Sequence, residues 1–145
     1  MITRLTSGHV PAPARGLACS HRELRQAVAA LRTAASSTTC PPAGHAFWSL
    51  LGRAATDLEA AVARHLDHER QHLPATLRME HTALVVQAVG LSAQVQLTTQ
   101  GDERAWPALR QACLRVIASV ERHLEHEDAL LPRIGRIEPY SPSIA

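Results

Sequence analysis

Apolar residues recur along most of the chain at three- and four-residue steps, the spacing of amphipathic helices. In RGLACSHRELRQAVAALRTAA (residues 15–35), Leu17, His21, Leu24, Val28 and Leu31 fall on one stripe. SSTTCPPAG then interrupts the pattern, with Pro41, Pro42 and Gly44 as breakers. A second stripe carries Leu51, Leu58, Val62 and His65 on a helix expected from His45 to His72, with Pro74 marking its boundary. A third runs through Leu77, His81, Leu84, Val85, Ala88, Leu91 and Val95. After TTQGDE, a fourth helix starts near Pro107 and carries Leu109, Val116, Val120, His123 and Leu131, with Pro132 expected to stop it.

Four amphipathic helices with mostly short connections predict an all-α fold, an antiparallel up-down-up-down four-helix bundle. The expected organisation is a disordered arm over residues 1–14, a bundle over 15–134 and an irregular tail over 135–145, with Ile134 and Ile137 packing back. Composition agrees, because aromatic residues make up 3 % of the chain and the commonest residues favour helix over strand.

Histidine occupies positions in these stripes where leucine would be ordinary. HLDHERQHLP (65–74) and HLEHEDALLP (123–132) share one frame. The likeness extends upstream: Leu51, Ala54, Ala60, Val62 and Arg64 match Leu109, Ala112, Ala118, Val120 and Arg122. At about 100° per residue, His65 and Glu69 face the core side of their helix, and so do His123 and Glu127. Asp67 and Glu125 turn to solvent. His21 and His81 lie early in the first and third helices, whereas the paired motifs lie late in the second and fourth. In an up-down-up-down bundle, all six groups therefore meet at one end.

Four imidazoles and two carboxylates inside a core are costly unless they are paired or bound to metal. Carboxylates can bridge two cations while imidazole nitrogens cap each one. Nitrogen and oxygen donors without thiolate suit iron or manganese better than a structural zinc. The competing di-iron pattern, E-x-x-H on two helices, is met by Glu69 and His72 but broken at Leu130.

With SHRELRQAVAALR, the H-x-x-x-E pairs of HLDHE and HLEHE, EHTAL and the final LLP, the chain resembles the hemerythrin-like (HHE cation-binding) family over about residues 15–134. That resemblance implies two non-haem iron ions, with manganese or zinc as alternatives. It implies His21, His65, Glu69, His81, His123 and Glu127 as ligands, with Glu69 and Glu127 bridging. It departs from the oxygen-carrying hemerythrins, which have a second histidine one turn away on the third helix. Leu77 and Val85 stand at those positions here. Those carriers also place an Asp five residues after the last histidine, where Glu127 follows His123 by four. Both departures weigh against reversible oxygen carriage. His68 and His126 stand where many bacterial relatives have acids, and either is a candidate for an additional ligand or a supporting partner.

The expected function is therefore binding or processing of O2, peroxide or nitric oxide, with catalase-like peroxide decomposition as the enzymatic form. The alternative is an iron- or redox-sensing module without turnover. A formal net charge of +2 with interspersed signs argues against a nucleic-acid partner, and no run is apolar enough to span a membrane. Three cysteines without a C-x-x-C pair, and no signal-peptide core, point to the cytoplasm. All fifteen Lys and Arg residues are Arg and the chain has no Asn, a codon bias that fits a GC-rich bacterial source.

Overall fold

The computed structural model describes residues 12–36, 44–70, 78–98 and 102–134, the side chains of 12–15, 17, 78 and 131–134 excepted. Four helices account for nearly all of it: α1 (Ala12–Ala35), α2 (His45–Glu69), α3 (Arg78–Leu97) and α4 (Trp106–Ile134). α1 packs on α2 and α4, and α3 packs on the same two, so the helices form a closed ring. This is the all-α four-helix bundle that the periodicity predicts.

The ring closes over the expected stripes. Leu24, Val28 and Leu31 of α1 are buried, as are Leu51, Leu58 and Val62 of α2. Leu84, Ala88, Leu91 and Val95 of α3 join them, with Leu109, Val116 and Val120 of α4. Ala54, Ala55, Ala61 and Ala112 are buried between these larger side chains and bring the backbones close. At the end where α2 and α4 begin, Phe47, Trp48 and Trp106 form an edge-to-face cluster with ring centroids 5.0–6.1 Å apart. That aromatic plug closes the end opposite the histidines.

Polar contacts fix neighbouring helices in register. Arg25 of α1 reaches Asp128 of α4 at 2.5 Å, and Arg32 pairs with Glu121 on the same two helices. Arg64 of α2 meets Glu23 of α1 at 3.2 Å. Arg110 donates to the carbonyl of Ala35 at 2.9 Å, satisfying a carbonyl left open where α1 ends. Ahead of α4, the Asp102 side chain accepts from the Arg104 amide at 3.0 Å, a short-range turn that sets up the helix start.

Several details differ from the pattern. α1 begins at Ala12 rather than Arg15, so Pro13 falls in the first turn, where backbone N–H groups have no partner within the helix. α4 continues to Ile134, two residues past Pro132. Proline's own φ is helical, and the carbonyl that loses its partner belongs to half-exposed Asp128. Val85, expected in the core stripe, is 37 % exposed. α3 is apolar on nearly every side, so its periodicity does not single out an inner face. The expectations for residues 1–11, Pro41, Pro42, His72, Pro74, Leu77 and the tail from 135 lie outside the described residues. So do those for the side chains of Leu17, Leu131 and Ile134.

Candidate metal centre

The six inward polar residues meet at one end of the bundle. His21, His65, Glu69, His123 and Glu127 are buried, and the His81 side chain is 14 % exposed. Each lies about one turn from a core residue on the same face: Leu24 follows His21, Val62 precedes His65, Leu84 follows His81 and Val120 precedes His123. Helical spacing then carries Glu69 and Glu127 one turn further along the same faces.

Every one of the four histidines presents its Nε2 to a carboxylate. His21 Nε2 lies 2.8 Å from Glu127 Oε2, and His123 Nε2 lies 2.7 Å from Glu127 Oε1. His81 Nε2 is 2.5 Å from Glu69 Oε2, and His65 Nε2 is 3.0 Å from Glu69 Oε1 and 3.2 Å from Glu127 Oε2. His65 and His123 Nε2 are themselves 3.3 Å apart. The donor atoms fall into two overlapping groups, each within 4.8 Å: His21, His65, Glu69 and Glu127, and Glu69, His81, His123 and Glu127. Two histidines belong to each group alone, and both glutamates belong to both.

Hydrogen bonding does not account for this cluster. Both oxygens of Glu69, Oε1 of Glu127, His81 Nε2 and His123 Nδ1 are buried without a hydrogen bond. Their neighbours are close but lie at the wrong angles to donate or accept. Buried polar atoms are seldom left in this condition, and four of these five face into one site, His123 Nδ1 being turned to Glu80 on the outer side of its ring. Lone pairs converging from two sides are what a cation requires, so the residues fit a metal centre.

Proton affinities carry the same strain. Burial pulls His65 down, but its contacts with Glu127 and Glu69 outweigh that and raise it from 6.5 to about 9. Burial also lowers His123, yet Glu127 lifts it above its ordinary value. Burial pushes the Glu69 carboxyl up to about 7, against the pull of His65 and with the help of nearby Glu127. Burial acts upward on Glu127 too, but contacts with His123, His21 and His65 hold it far below the usual carboxylate range. His81 is lowered by burial and by the neighbouring His123 charge. The cluster thus retains protons that a bound cation would displace.

Three residues outside the expected set support the imidazoles from behind. Ser20 Oγ lies 3.1 Å from His65 Nδ1, Asp128 Oδ1 lies 3.2 Å from His21 Nδ1, and Glu80 Oε2 lies 3.5 Å from His123 Nδ1. Each adjoins a clustered residue in sequence but serves a histidine on a different helix. Helical spacing within one segment cannot reveal such a pair. Adjacency to His21, His81 and Glu127 is the one signal that could have raised them.

His68 and His126 are both exposed and absent from the clustered groups. His126 is 62 % exposed, and its Nδ1 lies 3.4 Å from Glu80 Oε1. Through Glu80 it stands behind His123 rather than beside the glutamates. Asp67 and Glu125 face solvent as expected. A groove of about 510 Å³ between α3 and α4 is lined by Glu80, Leu84, His123 and His126 among others, and His123 is the clustered residue that borders it.

No curated protein and no solved structure matches the chain. A family model does: the hemerythrin HHE cation-binding domain, over residues 12–134. That span includes all four helices and every clustered residue, and the chain belongs to this family.

Proposed function

We propose that this chain is a non-haem di-iron protein that binds or processes O2, peroxide or nitric oxide. The observation that carries the reading is the sharing of Glu69 and Glu127 between two histidine pairs. One metal ion would need only one such group. Two overlapping groups with common carboxylates suit two ions, one held by His21 and His65 and the other by His81 and His123, with Glu69 and Glu127 spanning both. Iron is favoured over zinc by the mixed nitrogen and oxygen donors and the absence of thiolate: buried Cys113 is on α4 but outside both groups.

When bound, ferrous ions would supply the electrons needed to reduce oxygen or peroxide. The protein's own part is positional. Ser20 and Asp128 hydrogen-bond the outer nitrogens of His65 and His21, leaving Nε2 turned inward, and Glu80 stands beside the outer nitrogen of His123. Leu24, Val62, Leu84 and Val120 line the adjacent core and keep bulk water from that side. The groove beside His123 leaves room for a small ligand to approach from between α3 and α4. His68 and His126, both exposed, stand outside the ligand set.

The test is anaerobic reconstitution with ferrous iron followed by addition of air, peroxide or nitric oxide. A new visible charge-transfer band with at least one of the three is expected. An iron-loaded protein whose spectrum responds to none of them would contradict the reading.

A second reading, an iron- or redox-sensing module without turnover, is favoured by one observation. Six ionisable groups meet at the junction of all four helices, so whether they are metal-bound bears directly on the fold. It predicts strong protease protection by iron with negligible peroxide consumption, whereas rapid consumption supports an enzyme. Either role is compatible with a cytoplasmic protein, the compartment that unpaired cysteines favour.

A further inference from the structure

We infer that the outer face of α3 is the contact surface of a homodimer, in which α3 packs antiparallel against α3 of a second copy. The face is defined by Met79, Ala83, Val86, Gly90, Ala93 and Leu97. All six are exposed, with Met79 and Leu97 at 84 % and Val86 at 65 %. Their spacing alternates four and three residues without a break, the repeat by which two helices form a continuous apolar seam. Val89, 45 % exposed, widens the strip. Among the described residues nothing covers it, because α3 packs only on α2 and α4.

Charge singles out the same face. From Thr82 to Leu97 there is no Asp, Glu, Lys or Arg. The exposed sides of the other helices carry them freely: Arg22, Glu23 and Arg25 on α1, Arg53 and Asp57 on α2, Arg115 and Glu125 on α4. Arg115 and Arg122 of α4 border the groove beside Val86 and Gly90, but the strip of α3 itself is uncharged. Along that strip a second copy meets no like charge, which favours self-association.

Side-chain size then selects the register. About a twofold axis at Ala88, Met79 of one copy faces Leu97 of the other, Ala83 faces Ala93, and Val86 faces Gly90. Large meets large at the ends, small meets small inside, and the valine enters the space over the glycine. A Cβ built on Gly90 would touch nothing within 4 Å, so that space lies open. Parallel pairing would set Gly90 against Gly90 and leave a gap. Self-complementarity of this kind is what a twofold interface demands. The seam runs about 27 Å at the rise of an α-helix. It would bury on the order of 500 Å² per copy, roughly 1,000 Å² in all, at the lower limit for a specific interface. The dimer should therefore dissociate on dilution.

The test is the mass of the full-length, metal-loaded protein by sedimentation equilibrium, for wild type and Val86→Glu. Wild type should be a dimer that dissociates across the micromolar range. Val86→Glu should raise the dissociation constant at least about a hundredfold, with unchanged helical circular dichroism and metal content. A wild-type monomer throughout that range would overturn the proposal, as would a variant that dimerises like wild type or a monomer that binds neutral phosphatidylcholine vesicles through this face. Register is tested in a Cys19→Ser, Cys40→Ser background. Mixed Val86→Cys and Gly90→Cys chains should oxidise chiefly to the heterodimer. Disulfides formed only within each variant would overturn the antiparallel arrangement.

Discussion

Ser20 Oγ lies 3.1 Å from His65 Nδ1, on the far side of the ring from Glu69 and Glu127. Were Nε2 to hold a cation, Nδ1 would carry the ring proton and donate it to Ser20, which would fix both tautomer and orientation. Ser20→Ala should leave the helical content intact and weaken metal binding roughly 10- to 100-fold. Competition titration against a chelator of known affinity measures this. An unchanged affinity would mean that the serine does not hold the ring.

Glu127 gathers three imidazole nitrogens inside the core. Removing that carboxylate leaves them without their common partner. In protein stripped of metal, Glu127→Ala should lower the free energy of unfolding by roughly 3–5 kcal/mol, the usual loss when one side of a buried ionic group is deleted. Urea denaturation of the two stripped proteins gives the comparison. Equal midpoints would show that the cluster does not act as a charged unit without metal.

Stability of the stripped protein should fall as pH rises above neutral, where an ordinary fold is near its most stable. His65 is raised from 6.5 to about 9, so the native state holds its proton more tightly than the unfolded chain. Its contribution is complete below pH 6.5 and disappears as pH rises through 9. Glu69, raised from 4.5 to about 7, acts in the same direction, with its contribution lost as pH rises through 7. Glu127 is depressed, so its contribution is lost as pH falls below 4.5. Thermal midpoints of stripped protein should therefore decline from pH 6.5 to 9, while those of metal-loaded protein should not, because the cation replaces the protons. Parallel curves for the two forms would contradict the assignment.

The two exposed histidines of the repeated motif should be dispensable for metal binding. His68→Ala and His126→Ala should retain full metal stoichiometry, with affinities within about twofold of wild type, since exposed side chains away from a site change little. Loss of an ion from either variant by elemental analysis would make that histidine a ligand.

The legible part of this protein is the part written within single helices. His65 and Glu69, and His123 and Glu127, replace core residues at positions one turn apart, so each pair reveals its face. His21 and His81 could be joined to them because helix direction in a bundle brings early turns of α1 and α3 beside late turns of α2 and α4. Contacts that cross between helices were not legible in this way. Ser20, Glu80 and Asp128 each back a histidine on another helix, which depends on side-chain directions that periodicity does not encode. α3 was the least readable helix. Its apolar residues surround the axis, so Val85 looked like core although it is partly exposed.

Two cations sharing Glu69 and Glu127 would be coupled through those carboxylates. Anaerobic titration with ferrous iron, followed by elemental analysis, tests it most directly when wild type is compared with Glu69→Gln, Glu127→Gln and His81→Ala. Wild type should bind two ions per chain, either glutamine variant should bind both ions poorly, and His81→Ala should selectively lose one. Saturation of wild type at a single ion, or a glutamine variant that retains one site at full affinity, would contradict the shared centre.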